Sequence, residues 1–219
     1  MKIINLDEWP RRMQYENFIN YTNPIFSVGT TIDVTNLVQY CEKNDVSFFS
    51  AFLYVVTRSI NSVEEMRIRV VKDELVLFDK VHPGYVVLCE NGELRTCLTE
   101  ADDDYKTFYD KTRTDITRTR EQGKASYNEG ITNDVYYISC LPWIKINSVI
   151  NPYNFADKEQ TSIPRIMWGK YYKNGDRYEI GFDIAVHHAL ADGVHIGKVI
   201  ECMEELLSTL SFVEDGAQL

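Results

Sequence analysis

Arg177-Tyr178-Glu179-Ile180-Gly181-Phe182-Asp183-Ile184-Ala185-Val186-His187-His188-Ala189-Leu190-Ala191-Asp192-Gly193 is the stretch on which the reading of this chain turns. Ile180, Phe182, Ile184 and Val186 alternate with the period of a strand that has one apolar face, and His188 continues that face. Asp192 then precedes a long amphipathic run, Val194 to Leu210. There its carboxylate can accept from the free N–H groups of a first helical turn and sit at the positive end of the helix dipole. Gly193 relieves crowding at the bend. A strand thus carries an imidazole to its end, and a helix starts four residues later.

Working back, a strand near Ile163 to Tyr171 pairs with this one through Lys173-Asn174-Gly175-Asp176, where Asn-Gly is a hairpin signal. The middle of the chain reads as further strands: Met66 to Val71, Leu75 to Phe78, Tyr85 to Cys89 and Leu94 to Leu98. They are separated by the turn signals KDE, HPG and ENG. Nearer the start, Asp7 is expected to cap a short helix carrying Trp9, Tyr15 and Phe18, with Pro10 in its first turn. A strand follows from Phe26 to Val34, then a brief helix from Thr35 through Cys41. Ser47 reads as the cap of an apolar helix, Phe48 to Ile60, buried on most sides. Asp102 to Gln122 is charged, with Tyr105, Phe108 and Ile116 on one face, and reads as a solvated surface helix. Strands and helices without regular βαβ alternation predict an α+β protein, a two-layer sandwich of helices on a mixed, largely antiparallel sheet.

No repeat, low-complexity segment or linker divides the chain, so a single domain over residues 1–219 is expected. With 44% hydrophobic residues there is enough apolar material for a full core, which argues against disorder. Against 33 acidic residues stand 23 basic ones, a net charge of −10, and this balance argues against a nucleic-acid partner. A small anionic ligand needs only a few well-placed lysines and stays open. No stretch has the length and apolarity of a signal peptide or a membrane span, so a soluble, cytoplasmic protein is expected. The five cysteines are scattered without a CxxC pair, as reduced cytosolic thiols would be. Cys140 reads as a small buried residue before it reads as a nucleophile.

Three readings compete for His188: a hydrogen-bonded core histidine, a metal ligand with Asp192 and His195, and a general base. A metal site lacks a fourth ligand and any HExxH pattern, so no metal is expected. A neutral imidazole at the end of a strand is suited to taking a proton from a hydroxyl.

His187-His188-Ala189-Leu190-Ala191-Asp192-Gly193 resembles the HHxxxDG motif of the chloramphenicol acetyltransferase family, and the likeness extends along the chain. Trp9-Pro10-Arg11-Arg12 resembles the family's opening. Met66-Arg67, Lys72-Asp73-Glu74-Leu75-Val76, Asp79 and Val81-His82-Pro83 resemble its central hairpin. Ser139-Cys140-Leu141-Pro142-Trp143 resembles its Ser-x-x-Pro-Trp element, and Trp168-Gly169-Lys170-Tyr171-Tyr172 its Gly-Lys-Tyr-Tyr strand. The resemblance implies a coenzyme-A-dependent acyltransferase fold and direct acetyl transfer from acetyl-CoA in a ternary complex. By position, His188 would be the base and Ser139 the donor to the oxyanion, with Asp192 and Arg11 a buried pair supporting the site. Phe49, Lys170 and Tyr171 would hold the cofactor. Because the family completes its site with groups from two subunits, a homotrimer is implied too.

The acceptor pocket is where the likeness thins. Phe18 and Phe26 keep aromatic positions, but Asn17 replaces an aromatic and Thr22 and Pro24 replace small apolar residues. Arg95, Val149, Asn151 and Met167 stand where the family has phenylalanine, phenylalanine, leucine and threonine. A guanidinium does not substitute for a phenyl face and prefers an anionic partner. These changes imply a wider or more polar pocket, hence poor chloramphenicol turnover or another hydroxylated acceptor. A non-catalytic trimeric binding protein is the reading from a different class. The acyltransferase core of a 2-oxo-acid dehydrogenase complex, which shares a related fold, lacks support from any lipoyl module or flexible linker in this chain.

Overall fold

The computed structural model describes residues 1–122 and 133–214. The expected domain over 1–219 also includes 123–132 and 215–219, which lie outside the described residues. In chain order the elements are β1 (Lys2–Ile3), α1 (Arg12–Phe18), β2 (Ile25–Asp33), α2 (Thr35–Asn44), α3 (Phe48–Ser62), β3 (Ile68–Val71), β4 (Glu74–Leu77), β5 (His82–Leu88) and β6 (Leu94–Leu98). They continue with α4 (Tyr105–Gln122), β7 (Val135–Leu141), α5 (Lys158–Thr161), β8 (Arg165–Gly169), β9 (Tyr172–Asn174), β10 (Arg177–His187), α6 (Gly193–Thr209) and α7 (Ser211–Glu214).

A seven-stranded sheet runs in the order β2-β10-β8-β7-β5-β6, with β9 also on β10, and a smaller sheet runs β1-β4-β3. β10 is antiparallel to β2, β8 and β9, and β5 to β6, whereas β7 is parallel to both β5 and β8. The sheet is therefore mixed, as expected, with its parallel strands in the middle. One face carries the core: Ile180, Phe182, Ile184 and Val186 of β10 are buried against Phe52 and Val56 of α3 and Ile196, Val199 and Met203 of α6. α3 starts where Ser47 accepts from the Ser50 N–H, and its residues 50–57 are all buried, so an all-round apolar sequence sits in an all-round apolar place. α4 docks Tyr105, Phe108 and Ile116 into the same core and leaves its charges outside. Among the described residues no helix is long and apolar enough to cross a membrane.

The opposite face of the sheet is crossed by the segment 144–149, and glycines make the passage. A Cβ on Gly181 would lie 1.8 Å from the Ile146 carbonyl oxygen, and one on Gly29 would lie 2.2 Å from that of Asn147. Asp183, opposite Gly29 in the β10–β2 register, fastens the crossing: its carboxylate accepts from the Val149 N–H at 3.2 Å and from the Ser27 hydroxyl at 3.0 Å.

Four expectations need correction. Asp7 caps no helix; α1 begins only at Arg12, and Asp7 pairs with the Arg12 guanidinium instead. The HPG sequence is not a turn but the start of β5, where a missing N–H is tolerated because the β6 ladder begins only at Gly84. Glu64–Arg67 form a 3-10 turn before β3, so Met66 and Arg67 precede the strand. Val135–Leu141, of which only Ser139 to Leu141 were read, as part of a motif, is the central parallel strand β7.

Candidate active site

His188 follows β10 directly, its N–H donating to the Pro24 carbonyl at 2.8 Å. The ring lies stacked on Phe18 (centroids 4.1 Å apart) and Phe26 (5.1 Å), so two of the predicted acceptor-pocket aromatics are its walls. Its Nδ1 is 3.3 Å from the Ala191 carbonyl oxygen. A carbonyl can only accept, so this contact assigns the proton to Nδ1 and leaves the Nε2 lone pair free. That is the tautomer a general base needs.

The loop that supplies Ala191 is held from both sides. Asp192 caps α6 through Oδ1, which accepts from the Val194 N–H at 3.1 Å, and Oδ2 accepts from Arg11 Nη1 at 2.8 Å. Arg11 and Asp192 are 181 residues apart and clamp α1 to the start of α6. Burial pushes the Asp192 carboxyl up, but the Arg11 hydrogen bond and the charges of His195 and Arg11 outweigh it, and the net shift is downward. His195 completes a capping box, its Nδ1 accepting from the Asp192 N–H at 3.1 Å, while Nε2 faces Glu65 Oε1 at 3.3 Å. Asp192 and His195 are thus committed to capping and pairing, and no cluster of three or more His, Cys, Asp or Glu that could hold a metal occurs among the described residues.

Neighbouring His187 is in the opposite tautomer. Its Nδ1 accepts from the Ala189 N–H at 3.2 Å, so Nε2 carries the proton. Burial, with the charges of His188 and Lys158, holds this imidazole down to about 4 from an ordinary 6.5. The unfolded chain therefore binds a proton below pH 6.5 that the folded chain refuses until about pH 4. Stability contributed by neutral His187 is full above pH 6.5 and falls by up to ~3 kcal/mol as pH drops to 4. Denaturant unfolding at pH 7 and pH 4.5 should show that loss, and His187→Gln should show a smaller one.

The remaining predicted residues gather elsewhere. A cavity of about 360 Å³ is walled by Phe48, Phe49, Trp168 and Tyr171, with Lys170 on its rim. Tyr171 packs on Phe48 (4.7 Å between centroids), while Phe49 leans on Tyr85 and Trp168. Phe48 and Trp168 complete a wall of which Phe49 and Tyr171 were expected; Phe48 adjoins Phe49 in sequence, and Trp168 opens the Trp168–Tyr172 element. This cavity adjoins a second of about 490 Å³ that shares Phe49, Cys140 and Pro142 and reaches Ser139, Trp143 and Leu88. Burial raises the Cys140 thiol to about 11, so it is protonated at neutral pH and no nucleophile. Met167 is the register partner of Ser139, and Val149 is tied to the adjacent Asp183. Arg95 already has its anion: Nη2 contacts Glu93 Oε2 at 2.7 Å, and it does not line either cavity.

The predicted site residues fall in two groups, and their separation follows from register. Ser139 pairs with Met167, Met167 pairs with Asp183, and His188 lies five residues further along β10. Five residues at about 3.4 Å and two strand spacings of about 4.8 Å put the two Cα atoms roughly 20 Å apart. Within one chain the two groups cannot touch one reacting carbonyl.

The fold is that of the coenzyme-A-dependent acyltransferases. A family model described as chloramphenicol acetyltransferase matches residues 1–204, and the chain belongs to that family. Membership makes it an acetyl-CoA-dependent acyltransferase. The chloramphenicol acetyltransferase of Escherichia coli is 28% identical over 203 residues, covering 92% of this chain and 91% of that one. A solved chloramphenicol acetyltransferase superposes with a TM-score of 0.83 at 23% identity, over 94% of this chain and 99% of the other. A probable dihydrolipoamide acetyltransferase of Listeria monocytogenes shares the fold at a TM-score of 0.67 and 13% identity, over 100% and 98% of the two chains.

Proposed function

We propose that the protein transfers an acetyl group from acetyl-CoA to a hydroxyl of chloramphenicol or a related small acceptor, at a site built from two copies in a homotrimer. His188 Nε2 takes the hydroxyl proton as the acceptor oxygen attacks the thioester carbonyl. The oxyanion of the tetrahedral intermediate accepts a hydrogen bond from the Ser139 hydroxyl. The intermediate collapses, the C–S bond breaks, and the imidazolium returns its proton to the departing thiolate, leaving an acetyl ester and free CoA. The aromatic walls of the 360 Å³ cavity and Lys170 suit an adenine ring and a phosphate. Arg11 and Asp192 position the loop that sets the His188 tautomer.

The observation that carries this reading is the free Nε2 of His188, stacked on Phe18 and Phe26 and fixed by the Ala191 carbonyl. The 20 Å to Ser139 supports the two-copy site. Another hydroxylated acceptor is the second reading, favoured by Asn20 and Thr22 lining a cavity beside the His188 loop.

Complementation tests the shared site. His188→Ala and Ser139→Ala proteins, each nearly inactive, should regain activity when denatured and refolded together, because mixed trimers contain intact interfaces. Mixed trimers that form and stay as inactive as the parents would overturn the two-copy arrangement.

A further inference from the structure

His187 is 2% exposed, and its Nε2 makes no hydrogen bond. Because Nδ1 is an acceptor, that orphan is an N–H donor, and leaving a buried donor unmade costs about 1–3 kcal/mol. The ring lines a cavity of about 420 Å³ between the α1–β2 connection and the approach to α5, of the size small-molecule pockets have. Ile19, Pro24 and Phe155 give it apolar walls, and among the described residues Lys158 is its one charged lining residue. Among the described residues no acidic side chain lines this cavity; Asp73, Asp157 and Glu159 line the neighbouring pocket on the other side of Lys158. The acids nearest in sequence are turned to other work. Asp157 Oδ1 accepts from the Gln160 N–H, and Glu159 accepts from the Lys72 N–H and from Asn133 Nδ2. Lys158 Nζ donates to Asn20 Oδ1 at 3.1 Å, which leaves ammonium protons for an incoming group.

We infer that this cavity is a binding site for an organic carboxylate, its anion held between the Lys158 ammonium and the His187 Nε2–H and its apolar body against Ile19, Pro24 and Phe155. A carboxylate offers about four lone-pair sites and so satisfies both donors at once, which a neutral amide oxygen does less well. The site stands on the opposite tautomer from His188, and, since Asn20 and Thr22 line it, its assignment to the acceptor rests on the second reading of the function. The carboxylate is either an arm of the acceptor or a separate ligand.

The test uses the full-length protein labelled with 15N-histidine, titrated with benzoate and, in parallel, benzamide. Benzoate should bind saturably, shift the His187 Nε2 resonance, and bind about tenfold tighter than benzamide, a difference of about 1.4 kcal/mol. Lys158→Gln, a change at an exposed side chain, should remove that preference and leave benzamide binding within about twofold of wild type. Equal affinity for the two probes, a preference unchanged in Lys158→Gln, or binding that leaves the Nε2 resonance unmoved would each overturn the site. Inhibition of thiol release separates the sources: competition with the hydroxylated acceptor assigns the carboxylate to the acceptor, and non-competitive inhibition assigns it to a separate ligand. Binding is read without turnover, so failure of the transferase reading leaves this result standing.

Discussion

Replacing His188 with Ala is expected to lower the rate of acetyl transfer by about 10²–10⁴-fold, the range over which a positioned acid–base group contributes. The expectation rests on the Nδ1–H bond to the Ala191 carbonyl, which leaves Nε2 as the only basic atom directed away from the loop. The loss should fall in kcat, with acetyl-CoA affinity little changed, because the aromatic cavity of Phe48, Phe49 and Tyr171 lies with the other half-site. His188→Gln tests the same point with a side chain that fills the space against Phe18 and Phe26 but cannot take up a proton at neutral pH. Transfer rates and acetyl-CoA binding measured on both variants check it; a variant within a few-fold of wild type would remove the imidazole from the mechanism.

The second large effect is structural. Gly181→Ala should cost about 4 kcal/mol or more, in the range reserved for steric clash in the core, and should prevent accumulation of folded protein. The added Cβ would meet the backbone oxygen of Ile146 at 1.8 Å and the carbonyl carbon at 2.9 Å, atoms that no rotamer change can move aside. Relief requires lifting the 144–149 segment, and with it the Val149 N–H from the Asp183 carboxylate, which is 1% exposed and would be left in an apolar place short of a donor. Gly197→Ala is the matched control: nothing lies within 4 Å of its Cβ, and inside α6 the change should be neutral or stabilising by up to about 1 kcal/mol. Denaturant midpoints of the two variants compare them directly.

What could be read from sequence divides by range. The strand-to-helix passage through His188 was legible because its signals are local: alternation over Ile180–Val186 and a capping aspartate before an amphipathic run. β7 was not, because Val135-Tyr136-Tyr137-Ile138 is an apolar and aromatic run without alternation, and its Ser139–Pro142 end looks like loop. HPG misled because a proline usually punctuates, and only the late start of the β6 ladder makes room for it. Asp7 had the chemistry of a cap, but Arg12 captured its carboxylate first.

The site was legible as a set of residues and not as a place. Family likeness brought Arg11 to Asp192 across 181 positions, and the ion pair is there. No local pattern, though, contains the register that sets His188 and Ser139 about 20 Å apart. Nor does it contain the tautomers, which depend on which backbone group each imidazole meets. The two adjacent histidines illustrate this: Nδ1 of His188 donates to a carbonyl and Nδ1 of His187 accepts from an N–H, so Nε2 is left an acceptor in the first and a donor in the second. Arg95 shows the converse, since its preference for an anion was legible but its partner, Glu93, lies two residues away on the chain itself and not in a bound acceptor.

The most direct test is release of free thiol from acetyl-CoA by the wild-type protein, followed with and without chloramphenicol and then with other small alcohols. Release that depends on a hydroxylated acceptor is expected, accompanied by one acetyl ester formed per thiol. Failure to bind acetyl-CoA, or thiol release that proceeds equally without any acceptor hydroxyl, would contradict it.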